Sequence, residues 1–234
     1  MRAHRVVLAA LAAASLSACT GGPAASSGLR TFDSPQALAE ANRVAAEGKG
    51  TVTVDLDLAT SGKGSCGLRT DDYSASCEIS LADAEKVSYV MVPDAIFVRI
   101  PDGQAPQPDK PWLKLDPADT RNPLGQAMAN VAVHIRDSAD IRKALPEGAQ
   151  LVEKAEEAVN GRSAVRYTAH VTVNGQASVL KLWVDDADLP VKTELRTPVP
   201  DGEPVTVTAV FRDWGKPVTI TPPAPDQLTT LPMP

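Results

Sequence analysis

From residue 51 to residue 58 the chain alternates without a break. Val52, Val54, Leu56 and Leu58 are aliphatic, while Thr51, Thr53, Asp55 and Asp57 are polar, the pattern of a strand with one dry and one wet face. Apolar runs of similar length predict further strands at 77–81, 87–91, 95–100 and 112–115. They are separated by short turns such as Pro93-Asp94 and Pro101-Asp102-Gly103. Connections this short favour antiparallel neighbours.

Two stretches break this period. Ahead of the first strand, Ser34 as N-cap, Pro35 at the first helical position, Leu38, Ala41, Val44 and Ala45 on one face, and Gly48 past the end predict a short helix. Glu40, Arg43 and Glu47 take its wet side. In mid-chain, Asn122-Pro123 opens a second helical pattern carrying Leu124, Ala127, Met128 and Val131. Ser138 can cap a third, with Ile141, Ala144 and Leu145 before Pro146. Strands then resume from Leu151. Val165, Tyr167, Ala169, Val171 and Val173 alternate with polar residues, and Asn174-Gly175 supplies a tight turn into 178–184. Strands at 191–197, 205–212 and 218–221 follow. The expected fold is α+β: a large curved antiparallel sheet, an open half-barrel, wrapped over a few helices.

The N-terminus departs from this globular pattern. Arg2, His4 and Arg5 precede an eleven-residue apolar run, 6–16, and Leu16-Ser17-Ala18-Cys19 closes it. This is secretory-signal architecture, too short for a membrane span of about 20 residues. The cysteine marks it as similar to the bacterial lipoprotein signal, in which the thiol is diacylglycerated and the chain is cut ahead of Cys19. The expected organisation is a signal at 1–18, a flexible tether at 19–30 that is rich in Gly, Ala, Ser and Pro, a domain at 31–221, and a Pro-rich tail at 222–234 lying along the surface or loose. With Cys19 assigned to lipid, Cys66 and Cys77 remain in an exported chain and have one possible pairing, a disulfide closing a small loop.

The formal charge of −6 with no basic cluster argues against a nucleic-acid partner. Catalytic constellations are missing. His134 and His170 have no zinc-type spacing to another ligand, and His170 falls on the wet face of its strand. Gly62-Lys63-Gly64-Ser65-Cys66-Gly67 matches G-x-G-x-x-G literally, but it leads into the cysteine-closed loop and not into a helix, so pyrophosphate binding has no physical basis. Asp185, Asp186 and Asp188 lack the glycine and distal glutamate of a calcium loop and read as a solvated turn. No enzyme activity, metal or cofactor is expected.

What is left is the dry face: Val52, Val54, Leu56, Ile79, Leu81, Val87, Tyr89, Met91, Ile96, Val98, Leu180, Leu182, Val205, Val207 and Phe211, with Leu124 and Met128 opposite. Aromatic residues make up 4% of the chain, so the lining suits acyl chains better than planar or charged ligands. Alternation alone does not distinguish an open pocket from a packed core.

Val205-Thr206-Val207-Thr208, followed by Asp213-Trp214-Gly215-Lys216-Pro217-Val218-Thr219 and Pro222, resembles the C-terminal signature of actinobacterial LppX/LprG-type, LolA-like lipoproteins. Lys110-Pro111-Trp112-Leu113-Lys114-Leu115-Asp116, Asn122-Pro123-Leu124-Gly125, Val159-Asn160-Gly161 and Leu182-Trp183-Val184-Asp185 agree in order and spacing. The resemblance covers most of 31–223. It implies a half-barrel on helices with a hydrophobic cavity that carries lipids or lipidated glycoconjugates across the envelope. The cysteine-closed loop departs from that pattern. The expected partners are the membrane, through the N-terminal anchor, a lipid or glycolipid ligand, and an unidentified envelope protein, with the chain itself a monomer. The alternative on the same fold is an envelope sensor or interaction module with a filled core.

The anchor is testable directly. Replacing Cys19 by Ala is expected to shift the protein from the membrane pellet to the soluble fraction with its circular dichroism unchanged; continued sedimentation with membranes would contradict lipidation at this residue.

Overall fold

A computed structural model describes residues 28–81, 86–101, 103–116, 140–173, 175–200 and 202–229. The N-terminal signal, Cys19 and the expected helix at 122–131 with Leu124 and Met128 lie outside them.

The first helix, α1 (Pro35–Lys49), starts as its sequence dictates: the Ser34 side chain accepts from the Ala37 N–H, and Pro35 takes the first turn. It ends later than expected. Gly48 is still helical, and Gly50 caps the helix in the left-handed conformation, donating its N–H to the Ala46 carbonyl. The buried stripe is Pro35, Leu38, Ala39 and Asn42, rotated from the expected Ala41, Val44 and Ala45; Val44 is 56% exposed. Hydrophobicity alone misplaced the stripe, because Asn42 is held inside by a tertiary hydrogen bond. On the wet side Arg43 pairs with both Glu40 and Glu47.

Six strands then meander: β1 (Thr51–Asp57), β2 (Gly62–Arg69), β3 (Ala75–Leu81), β4 (Lys86–Val92), β5 (Ala95–Arg99) and β6 (Trp112–Leu115). A short helix α2 (Ile141–Ala144) precedes five more: β7 (Gln150–Val159), β8 (Arg162–Val173), β9 (Gln176–Val184), β10 (Pro190–Thr197) and β11 (Val205–Arg212). The last strand is β12 (Leu228–Thr229). All join one twelve-stranded sheet in the order β12-β6-β5-β4-β3-β2-β1-β11-β10-β9-β8-β7. Every pair is antiparallel except β12 with β6, which is parallel. The fold is the expected open, mostly antiparallel sheet with few helices. Because β6 and β7 lie near opposite edges, the chain between them has to traverse the whole sheet, and α2 lies on that traverse.

Four local expectations are corrected. Residues 62–67 are not a loop: they form most of β2, so the G-x-G-x-x-G match is a strand. The described third helix begins after Asp140, whose side chain accepts from the Arg142 N–H, and not after Ser138. Residues 218–221 form no strand. The tail is not loose, since residues 213–229 run over the outer face of the sheet, with Val218 against Gly67, Ile220 and Leu228 on the patch of Val90, Ala95 and Phe97, and β12 on the sheet edge. Four prolines in 217–225 suit an extended strap, which needs no internal hydrogen bonds.

The glycines of β2 now have a packing reason. Gly64 lies between Leu56 and Ile79, and a Cβ there would meet the Glu78 carbonyl oxygen at 2.8 Å and Ile79 Cγ1 at 2.9 Å. Gly64→Ala is therefore expected to cost about 1–3 kcal/mol, read as a lower urea midpoint with unchanged slope. Wild-type stability in this variant would contradict the close approach.

Candidate functional site

The dry faces of both meanders point the same way. Val54 of β1 opposes Phe211 of β11 on one side and Cys66 of β2 on the other, and the row continues through Cys77, Tyr89, Val98 and Leu113. In the other direction Ala209, Thr193, Leu182 and Tyr167 form a matching row. One continuous face thus crosses the sheet from β6 to β8.

Two hydrophobic clusters divide it. Over β1 to β6 and β11 lie Val52, Val54, Leu56, Ile79, Tyr89, Met91, Ile96 and Val98, none more than 5% exposed, so eight of the expected lining residues come together here. Leu180 and Leu182 belong to the second cluster, over β8 to β10, together with Phe32 and Leu38, and Ile141 and Leu145 at α2. Val207 lies between the two and is half-buried, while Val205, at the far end of β11, is 37% exposed. Leu81 is the last residue of β3, opposite Gly62. Side chains of α1 and α2 belong to the second cluster alone. Among the described residues, no helix side chain enters the cluster over β1 to β6.

The disulfide sits inside the first cluster. Cys66 and Cys77 are direct partners across β2 and β3, with Cα atoms 4.1 Å apart. Each is 1% exposed, so the bond fastens the middle of a hairpin on its dry side.

The end of the sheet where β1 begins is closed by polar contacts. Asn42 of α1 donates to the Asp188 carbonyl at 2.9 Å, and the Asp188 carboxylate pairs with Arg30. The Asp185–Asp188 turn is therefore only partly solvated: Asp188 is 9% exposed and adopts positive φ. Thr70 donates to the Ala46 carbonyl, and Arg142 bridges Asp140 and the Tyr73 hydroxyl. A cleft of about 10 Å³ remains among Asn42, Tyr73, Asp140 and Ile141, about the space of one water. Trp214 closes the same end from β11, stacked on Phe211 and donating to the Pro190 carbonyl at 3.2 Å. Contacts also begin ahead of residue 31. Leu29 packs on the second cluster, and the Tyr167 hydroxyl accepts from Phe32 N–H at 3.0 Å.

Burial pushes the phenols of Tyr89 and Tyr167 above their ordinary values, so both are neutral and the face carries no charge from them. His170 is exposed. Among the described residues, no group of three or more His, Cys, Asp or Glu is placed to hold a metal ion, and no helix is long and apolar enough to cross a membrane. What this arrangement can do is bury hydrocarbon.

No protein-family model and no curated protein matches the chain. A solved structure does: the Mycobacterium tuberculosis lipoprotein LppX aligns over 80% of this chain and 100% of its own, with TM-score 0.51 and 14% identity. The chain has the LolA-like fold of LppX. The Pseudomonas aeruginosa MucA/MucB complex also aligns, at TM-score 0.35 and 18% identity, over 83% of this chain and 61% of that one. Within the LppX-like fold, the residues that sequence reasoning missed are Gly64, Asn42 and Asp188. Asn42 had a signal, since it continues the 35, 38, 39 helical spacing. Asp188 had none, because its partners are 146 and 158 residues away.

Removing the disulfide by Cys66→Ala with Cys77→Ala is expected to lower stability by about 2–3 kcal/mol through loop entropy while preserving the sheet. Denaturant unfolding measured alongside far-ultraviolet circular dichroism checks both parts. An unchanged midpoint would show that the bond contributes nothing.

Proposed function

We propose that this chain is a membrane-tethered lipid-binding protein that holds acyl chains against the β1 to β6 half of its concave face and carries a lipid or lipidated glycoconjugate across the cell envelope. No bond is made or broken in this role. The observation that carries the reading is the division of the concave face. One half is packed by α1 and α2, and the other is an aliphatic surface into which no described helix inserts a side chain.

The physical basis is burial. Apolar surface removed from water contributes about 25 cal/mol per Å², so two long chains offset the ordering cost of binding. The proposed anchor at Cys19, with the signal at 1–18 and the tether at 19–30, would keep the domain on the extracytoplasmic face of the membrane. Two or three acyl chains on one cysteine hold firmly where a single chain does not. That LppX is a lipoprotein supports this part of the reading.

Native mass spectrometry of the full chain, extracted from membranes in mild detergent, tests the proposal. The expected result is a set of adduct masses matching acyl lipids, or their appearance after incubation with lipid. Recovery of the bare mass alone in both cases would overturn it and leave the same fold as an interaction module with a filled core.

A further inference from the structure

Two tyrosines share the concave face, and their hydroxyls are treated differently. Tyr167 is 1% exposed, and its hydroxyl accepts from Phe32 N–H at 3.0 Å and lies 3.4 Å from the Arg30 carbonyl. Tyr89, the middle residue of β4, is 5% exposed. Its register partners are Cys77 and Val98, and Val87 and Met91 flank it on the same face. No described residue hydrogen-bonds its hydroxyl. Consistent with this, burial alone accounts for the raised Tyr89 phenol, whereas the Tyr167 phenol is also held by the Phe32 N–H.

A buried tyrosine hydroxyl ordinarily finds a partner, because an unpaired hydroxyl among hydrocarbons is destabilising and phenylalanine would fill the same volume without it. The groups around Tyr89 are aliphatic side chains and a disulfide, which are poor partners. The partner that suits this position belongs to a molecule lying on the face. It must present an acceptor flanked by hydrocarbon, which describes an ester carbonyl at the root of an acyl chain.

Resting on the lipid-binding reading above, we propose that the Tyr89 hydroxyl donates a hydrogen bond to an acyl-ester carbonyl of the bound lipid. Tyr89 then sets both ligand class and depth: the site takes ester-linked acyl lipids in preference to plain hydrocarbon, with the ester at the level of mid-β4 and the chain running along the aliphatic cluster. An ether-linked lipid with the same chains lacks the carbonyl and loses this contact.

The test compares diacylglycerol with its dialkyl ether analogue of equal chain length, titrated into the full chain carrying Cys19→Ala and into the same chain with Tyr89→Phe added. Cys19→Ala is expected to bind the ester about five- to tenfold more tightly than the ether, the range of one net hydrogen bond. Tyr89→Phe should abolish that preference by weakening ester binding and leaving ether binding unchanged. An ester preference that survives Tyr89→Phe, or that is absent at the start, overturns the assignment while leaving lipid binding intact. Failure of both lipids to bind overturns the lipid-binding reading and this inference with it. A second readout needs no variant at Tyr89: the infrared carbonyl stretch of isotope-labelled ester lipid should move to lower frequency on binding, and a stretch unchanged from dry hydrocarbon would reject the hydrogen bond.

Discussion

The pairing of β1 with β11 is the contact on which the architecture depends. It joins two meanders that would otherwise be separate sheets, and it does so on both faces at once. Inside, Val54 opposes Phe211 and Leu56 opposes Ala209. Outside, the Arg212 guanidinium reaches Asp55 across 157 residues of chain and holds its carboxyl below the usual carboxylate range, with the Ser65 hydroxyl adding a second hydrogen bond. The pair is partly exposed, so its net worth is modest. The larger effect is register. A slip by one residue would turn Val52, Val54 and Leu56 to water together.

With the meanders joined, the concave face becomes one surface too broad for two short helices. α1 and α2 pack on the β8 to β10 half, held there by Leu38, Ile141 and the hydrogen bond from Asn42 to Asp188. Closure at that end is polar and specific. The other half is aliphatic and nonspecific, with the neutral Tyr89 hydroxyl in its midst. A carrier needs both properties, a fastened end that keeps the half-barrel from collapsing or opening and a greasy surface that accepts chains without demanding one shape. The strap at 213–229 solves a different problem. It covers the apolar Val90, Ala95 and Phe97 on the convex side and occupies an edge that would otherwise invite pairing with other chains.

Much of this was legible in the chain because a sheet with one dry face writes its period into every strand. Thr51 to Leu58 and Val165 to Val173 announce strands whatever their partners, and Ser34-Pro35 announces a helix start. The failures have a common cause. β2 is built on glycines whose small size matters only against Ile79 and Val218, so its strand character is not visible in hydrophobic alternation. The buried stripe of α1 turns on Asn42, a polar residue whose burial is set by a carbonyl 146 residues away. Residues 218–221 alternate like a strand yet find no ladder partner, because the strap crosses the strands of the sheet and does not run beside them.

The sequence by itself determined the local periods: which segments extend, which coil, which face of each strand is dry, and that the two exported cysteines had one possible pairing. These are properties of a residue and its near neighbours. The tertiary structure decided everything that needs a distant partner, namely the order of twelve strands, the division of the concave face between packed helices and aliphatic surface, the course of the strap, and which tyrosine hydroxyl is paired. Long-range contacts depend on where the chain returns to itself, and no local pattern encodes that return.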